Sequence, residues 1–219
     1  MKRNLLHLAL LFIAATTVQA QTPITAGTIS LGGGIGYSRH SDKKEFPTGS
    51  TSSTSESVSS QFQVWPAVSY FIADNLAIGL NLGYTAIRNQ FTSGITGVTN
   101  SLDPNTTLRV GPYVQYYNML GDHFGILGTL GAGYQHGVTN GYVTRNVTYQ
   151  TKTNGYYASL TPGLIFFPIP KLGISASIGS LAYDRATEKP TTGAPVVSNF
   201  GASFGLNQLQ FGGTYFFGR

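Results

Sequence analysis

Few residues of this sequence could carry out catalysis, and they are not spaced for it. Beyond the first 20 residues the histidines are His40, His123 and His136, and no two of them have the spacing of a metal-binding motif. No set of serine, histidine and aspartate suggests a nucleophile with its base. The glycine-rich run 32–36 lacks the Lys-Ser/Thr of a phosphate-binding loop. We therefore expect no enzyme, no cofactor and no metal site, and keep a lipid-modifying enzyme only as a remote alternative.

A polar cluster around Arg109 is the strongest candidate for ligand binding. Arg109 lies on the polar face of an alternating strand that also carries Tyr113 and Gln115. Gln63 lies on the polar face of an earlier strand. No carboxylate falls on the polar face of the predicted strands. A buried charge needs partners, so Arg109 is expected to bond glutamine, tyrosine or threonine groups and water. A structural polar plug is favoured here over a gating or ligand-binding role.

A second basic group lies in the segment 39–60, RHSDKKEFPTGSTSSTSESVSS. Its basic residues are Arg39, Lys43 and Lys44. They could contact the phosphates of lipopolysaccharide through charge-assisted hydrogen bonds. Asp42 and Glu45 lie among them and weaken this hypothesis, and the Ser/Thr tract that follows is typical of a solvated segment.

The N-terminus has the pattern of a secretory signal peptide. Lys2 and Arg3 precede the apolar stretch 5–15, and Val18-Gln19-Ala20 has the small-x-small form of a cleavage site. The sequence thus predicts a signal peptide over residues 1–20 and one domain over 21–219. The chain contains no cysteine, so neither a disulfide framework nor a lipid anchor on cysteine is expected.

The composition is that of a membrane barrel rather than of a soluble domain. Only 10% of the residues are charged, against about 25% in ordinary globular domains. The chain also contains 28 Gly, 13 Tyr and 13 Phe, and no run of about 20 apolar residues follows the predicted signal. After cleavage 11 basic and 8 acidic residues would remain, and this balance of +3 is too weak to indicate nucleic acid. An exported chain of this kind is typical of an outer-membrane β-barrel.

Alternation of apolar and polar residues predicts eight strands. They are Thr28–Ser38, Gln61–Phe71, Leu76–Arg88, Thr106–Tyr117, Phe124–His136, Tyr156–Phe167, Leu172–Leu181 and a last strand in LQFGGTYFF. The short connections are 72–75, 118–123 and 168–171, and the long ones are 39–60, 89–105, 137–155 and 184–198. Short periplasmic turns that alternate with long extracellular loops are the layout of an all-β, antiparallel, up-and-down transmembrane barrel with both termini in the periplasm. Segment 137–155 itself alternates, which leaves ten strands open.

Irregular positions are also predicted. Pro66, Pro112 and Pro162 recur on the apolar face of strands that descend toward short turns, and each predicts a bulge or a gap in the ladder. Tyr183 has the wrong parity for an outward residue, and a further bulge is expected near Asn207 and Gln208.

Aromatic residues gather at both ends of the predicted strands and are interpreted as two interfacial girdles. Those near the short turns are Tyr70, Phe71, Tyr116, Tyr117, Phe124, Phe166, Phe167, Tyr215, Phe216 and Phe217. Those near the long loops are Tyr37, Tyr84, Tyr134 and Tyr156. A soluble calycin-like binder, the rival fold, would need a large apolar face turned inward, whereas the face opposite the apolar one is small and polar.

The hairpins QVWPAVSYFIADNLAIGLNLGY and RVGPYVQYYNMLGDHFGILGTLGAGY carry a family resemblance. The chain resembles the small porin-like outer-membrane β-barrel domain proteins of Bacteroidetes-type bacteria, which are related in architecture to the OmpA and OmpX barrels. The resemblance implies the outer membrane of a Gram-negative bacterium, insertion by the barrel-assembly machinery, and contact with outer-membrane lipid and lipopolysaccharide. The chain ends in Phe217-Gly218-Arg219, whereas the family usually ends on an aromatic residue.

Two functions remain at this point, and neither is catalytic. The first is a structural or surface-interaction role, in which the extracellular loops bind an unknown ligand. The alternative is a narrow porin-like channel or a conduit for small or apolar solutes. A monomer is expected in either case.

Overall fold

The computed structural model describes residues 23–48, 51–144, 147–189, 196–205 and 209–219. Every regular element in these ranges is a β-strand. The strands are β1 Ile29–Gly33, β2 Ile35–Thr48, β3 Thr51–Val64, β4 Ala67–Ala73, β5 Leu76–Thr92, β6 Thr99–Ser101, β7 Asn105–Met119, β8 Phe124–Thr144, β9 Val147–Ile169, β10 Leu172–Ser177, β11 Gly179–Lys189, β12 Val196–Phe204 and β13 Gln210–Phe217.

Eight of these strands close into an antiparallel ring. The hydrogen-bonded order is β10-β13-β1-β4-β5-β7-β8-β9, and β9 pairs with β10 to complete the circuit. Strands β2, β3, β11 and β12 continue the ring strands β1, β4, β10 and β13 beyond short interruptions, so they add height and not circumference. The eight-stranded barrel is thereby confirmed. Segment 137–155, which left ten strands open, instead lengthens β8 and β9.

The long connections are shorter than the sequence predicted. Residues 39–48 and 51–60 belong to the paired strands β2 and β3, which keep one register from Ile35–Val64 to Thr48–Thr51. Strand β5 runs on to Thr92, and β11 runs on to Lys189. The predicted loops are therefore mostly hairpins that extend the barrel wall. The expected bulge near Asn207 and Gln208 lies outside the described residues.

The apolar side chains of the ring face outward. Leu80 is 59% exposed, and its strand neighbours Gly79 and Asn81 face the interior with Tyr113 and Tyr157. The same alternation holds along β1, β7, β8 and β9, because a side-chain period of two assigns each residue to one face. A soluble calycin-like binder would have the opposite polarity. An exposed apolar belt of this extent is stable only against another apolar phase, which is the situation of a barrel in lipid.

The three prolines occupy interruptions of the ladder. Pro66 separates β3 from β4 and faces the break between β1 and β2, yet the register is the same on both sides of it. The β7–β8 ladder also breaks beside Pro112 and resumes in the same register at Tyr113. Because proline has no N–H to donate, a local gap is the least disruptive place for it. Pro66 and Pro112 thus mark gaps, without an inserted residue.

Pro162 differs from the other two because it faces a true bulge. It pairs with Gly128 of β8 on one side. On the other side β9 pairs with β10 up to Ser177 and with β11 from Leu181, and the register changes by one residue between them. Gly179 adopts a φ of 135° at this point, a conformation that favours glycine.

The bulge at Gly179 explains the parity of Tyr183. The extra residue exchanges the two faces of the strand, so Tyr183 pairs with outward-facing Ala158 and is 41% exposed. Its neighbour Asp184 pairs with Tyr157 and faces the interior. The prediction that no carboxylate enters the lumen was therefore wrong, since Asp184 belongs to β11 and not to a loop.

The barrel has two ends of different character. The end that carries the connections 74–75, 120–123 and 170–171 together with both chain ends is called the short-turn end below, and the opposite end is called the hairpin end. At the short-turn end the ring is complete, because β1 pairs with β13 from Ile29–Phe217 to Gly33–Gly213. Toward the hairpin end, β2 pairs only with β3 and β12 only with β11 among the described residues. The wall therefore has a seam between β2 and β12.

Candidate functional site

An apolar plug fills the lumen at the short-turn end. Its aromatic members are Phe71, Tyr117, Phe167 and Phe216, and each is at most 1% exposed. Ring centroids lie 5.5 Å apart for Phe71 and Tyr117 and 5.2 Å apart for Phe167 and Phe216. Tilted pairs at such distances stabilise a core beyond their area burial. Met119 and Ile165 also belong to the plug, and each is at most 1% exposed.

The plug corrects the predicted girdle at this end. Phe71, Tyr117, Phe167 and Phe216 were assigned to the lipid interface, but each follows an outward aromatic neighbour and therefore points inward. Their neighbours Tyr70, Tyr116, Phe166 and Tyr215 do face outward, with 41 to 56% exposure. The runs of adjacent aromatic residues YF, YY, FF and YFF already indicated this arrangement, since adjacent strand residues cannot share a face.

Both ends of the described chain hold the plug in place. Ile24 is fully buried in it, its backbone N–H donates to Asn75 Oδ1 over 2.9 Å, and Asn75 N–H donates to the Ile24 carbonyl over 2.9 Å. The Arg219 guanidinium lies 3.8 Å from the centroid of the Phe167 ring. Burial lowers the pKa of Arg219, which the nearby Asp122 carboxylate opposes. The short-turn mouth is thus covered by residues from each terminus.

Above the plug, Arg109 is the centre of a polar network on the lumen wall. Its Nε donates to Gln135 Oε1 over 3.1 Å and its Nη2 donates to Asp184 Oδ1 over 2.8 Å. The guanidinium lies 5.1 Å from the ring centroid of Tyr157, whose hydroxyl donates to Asn81 Oδ1 over 3.1 Å. Side chains from the five strands β5, β7, β8, β9 and β11 thereby join one network, in which Asp184 balances the charge of Arg109.

The predicted partners of Arg109 lie elsewhere on the same wall. Gln115 donates to Thr129 Oγ1 over 2.9 Å and accepts from the Tyr117 hydroxyl over 2.7 Å, so it links the polar lumen to the plug. Tyr113 is 7% exposed, and its ring lies against the inward-facing Gly79 of β5. Gln63 accepts from Gln61 Nε2 over 3.3 Å. None of the three predicted partners hydrogen-bonds Arg109.

Four residues that do complete the network around Arg109 were missed by sequence reasoning. They are Asn81, Gln135, Tyr157 and Asp184. The parity of the first three placed them on the inward face, so the face was predictable although the pairing was not. Asp184 could be found only by recognising the bulge at Gly179, at the start of its own strand β11.

A cavity of about 320 Å³ lies between the network and the plug. Its wall includes Arg109, Tyr113, Gln115 and the only tryptophan of the chain, Trp65. The Trp65 ring lies against Gly34, where a Cβ atom would approach ring carbon Cζ2 to 2.5 Å. Glycine at position 34 thus leaves room for an indole on the lumen wall.

A larger hollow of about 830 Å³ lies around Leu80, Pro112 and Leu130. These side chains belong to the outward apolar belt, and they alternate with small inward residues such as Gly79 and Gly131. The hollow is therefore a concave part of the belt, where lipid chains would lie.

The three basic residues of the β2–β3 hairpin do not share one face. Alternation along β2 places Arg39 and Lys43 on the outward face with Tyr37 and places Lys44 on the opposite one, and all three are exposed. The nearby Asp42 has a partner of its own, since its Oδ2 lies 3.1 Å from His40 Nε2. The structure thus places Arg39 and Lys43 on one face of the hairpin and Lys44 on the other.

The described ranges hold no group of three or more His, Cys, Asp or Glu residues that could bind a metal ion. Within the same ranges, no helix is long and apolar enough to cross a membrane.

Comparison with known proteins supports the fold. No protein-family model and no curated protein matches the chain. Among solved structures, the outer membrane protein OprG from Pseudomonas aeruginosa superposes with a TM-score of 0.53 at 14% identity, over 90% of this chain and 99% of OprG. Outer membrane protein W of E. coli superposes with a TM-score of 0.46 at 15% identity, over 89% of this chain and 100% of that one. At this identity the likeness to OprG shows the barrel fold alone.

Proposed function

We propose that the protein is an outer-membrane β-barrel whose hairpins bind ligands outside the cell and whose lumen does not form an open pore. One observation carries this proposal: the short-turn end is filled by the plug, while β2–β3 and β8–β9 project as long hairpins at the other end. A side chain core that is almost inaccessible to solvent blocks the hydrated path that a porin needs.

The cellular setting belongs to the same proposal. The signal peptide over 1–20 would direct export, the barrel-assembly machinery would insert the barrel, and the hairpin end would face outward with both termini periplasmic. Outer-membrane lipid would cover the apolar belt, and lipopolysaccharide would contact the outward side of the β2–β3 hairpin. Membership of the Bacteroidetes-type family in a Gram-negative host stays a prediction, as do a monomeric state and the absence of catalysis.

A conduit for small or apolar solutes is the second candidate. The observation that favours it is the seam between β2 and β12, which adjoins the lumen where the ladder stops. A solute could enter the cavity from the hairpin end and leave sideways into the bilayer, without passing the plug. Such a route would carry no ions across the membrane.

Single-channel recording in a planar bilayer tests the proposed closure. The refolded protein, with its barrel verified by a heat-dependent gel shift, is expected to insert without producing ion-conducting steps. An open barrel of larger diameter serves as the positive control for the bilayer. Steady conductance by the folded wild-type protein would overturn the proposal and place the function in the lumen.

A further inference from the structure

We propose that the lumen cavity is a binding site for a small uncharged molecule rich in hydroxyl groups, such as a monosaccharide or a polyol. The proposal concerns the space between the Arg109 network and the plug. It goes beyond the role proposed for the hairpins and does not depend on it.

The chemistry of the wall selects this class of ligand. Hydroxyls of Ser159, Thr161 and Ser177 line the cavity, and they make no side-chain hydrogen bond to the described part of the chain. The Trp65 indole N–H is also without a partner there. Hydroxyl groups both donate and accept, so a hydroxylated ligand can satisfy all of them, whereas an apolar ligand would leave them unsatisfied.

The electrostatics of the cavity disfavour a charged ligand. Arg109 is the only charged residue among the described residues that line it, and Asp184 balances this charge at 2.8 Å. A carboxylate ligand would have to compete with Asp184 for the guanidinium. The Nη1 group of Arg109 makes no hydrogen bond to the described residues and remains a donor for a neutral oxygen.

The size and shape of the cavity also suit a small hydroxylated ligand. A volume of about 320 Å³ lies near the lower end of the range of about 300 to 1,000 Å³ for small-molecule sites. Trp65 and Tyr113 give the wall flat apolar surfaces against which the carbon face of a sugar ring can pack. The plug blocks the lumen at the short-turn end. The ligand must therefore enter from the hairpin end or through the seam.

Trp65 provides a direct test, because it is the only tryptophan in the chain. The full protein, refolded in detergent, is titrated with glucose, galactose, mannose and sorbitol while Trp65 emission is recorded. Gluconate and 1-hexanol are the charged and apolar comparators. At least one neutral polyol is expected to change the emission saturably, with about millimolar affinity. The two comparators should produce no saturable change.

Two cavity-filling variants locate the binding. A Cβ atom at Gly131 would lie 3.7 Å from Ser159 Oγ, and one at Gly83 would lie 3.7 Å from Arg109 Cβ, so both positions have room. Gly131→Val and Gly83→Val should each weaken the saturable response by about tenfold or more, since the added methyl groups occupy the cavity. Gly128→Val is the matched control, because a Cβ atom at Gly128 meets nothing within 4 Å. Its affinity should stay within about twofold of the wild-type value.

Two results of these titrations would overturn the proposal. The proposal is overturned if no neutral polyol gives a saturable change in a barrel that passes the gel-shift test. It is equally overturned if binding occurs but both filling variants keep wild-type affinity. Neither result bears on conductance, so the proposed closure of the pore stands or falls by its own experiment.

Discussion

At the scale of single residues, Arg109 shows how the lumen can hold a charge at modest cost. Its side chain is 44% exposed and that of Asp184 is 29% exposed, so water still reaches the pair. A half-solvated ion pair contributes little net stability, on the order of 1 kcal/mol or less. Its geometry matters more, because Gln135, Asp184 and Tyr157 fix the guanidinium from three strands. The pair thus sets the shape of the cavity wall more than the stability of the barrel.

The basic residues of the β2–β3 hairpin give a prediction at the same scale. If lipopolysaccharide lies against the outward face, Lys43→Glu should weaken binding to vesicles that contain it, by about threefold to tenfold at low salt. Lys44→Glu makes the same charge change on the adjacent residue, but on the other face of β2, and is the matched control. Co-flotation with vesicles that contain or lack lipopolysaccharide measures the effect. Equal losses in the two variants would refute face-specific contact.

Single residues also show what the sequence could not reveal about the site. Alternation alone put Arg109, Tyr113 and Gln115 on the inward face, because their strand β7 contains no inserted residue. The partners of Arg109 depend on register between strands that are far apart in the chain, such as β7 and β11. No local pattern encodes that register. The residues of the predicted cluster therefore do face the lumen, but they are not the hydrogen-bond partners of Arg109.

At the scale of strands, one bulge decides which residues of β11 face the lumen. Gly179 combines a φ of 135° with a close approach to Ser203 O of β12, so a side chain is disfavoured there both conformationally and sterically. The bulge turns Asp184 inward and Tyr183 outward, and it lies opposite Pro162. The bulge at Gly179 therefore determines which residues of β11 face the lumen.

Replacement of Gly179 tests this link. Gly179→Ala should lower the free energy of unfolding by about 1 to 3 kcal/mol, since alanine rarely adopts this φ and its Cβ would meet the β12 backbone. Gly213→Ala is the control, because a Cβ atom at Gly213 meets nothing within 4 Å and its φ is not positive. Urea unfolding in lipid vesicles, followed by Trp65 emission, measures both. Equal stability of the two variants would show that the bulge is not required.

At the scale of the whole molecule, the eight-stranded barrel was predictable, whereas the plug that fills its lumen and the seam in its wall were not. Alternation, turn residues and outward apolar faces fixed the eight strands, because each of these signals is local. The plug and the seam arise from how the ring closes on itself. Phe71, Phe167 and Phe216 meet only when three separate strands converge at one mouth. The sequence showed aromatic residues at the strand ends, and only the closed ring shows which of them fill the lumen.

The plug should also determine whether ions can pass through the lumen. Phe216 contacts both Phe71 and Phe167 at centroid distances of 6.1 and 5.2 Å, so it is the ring that joins the two sides of the plug. Phe216→Ala should lower the free energy of unfolding by about 3 to 5 kcal/mol, because a fully buried ring is removed and a cavity remains. In the surviving folded barrels, water should enter the short-turn mouth and brief ion-conducting steps should appear in planar bilayers.

Phe217→Ala is the decisive comparison, since it removes the same side chain one residue further along the same strand. Phe217 is 50% exposed on the outward face, where lipid can fill the space that the ring leaves. That variant should stay silent in the bilayer and lose much less stability. Conductance in both variants, or in neither while both remain folded, would mean that the aromatic plug is not the barrier. Conductance confined to Phe216→Ala would identify the packed rings as the element that closes the lumen.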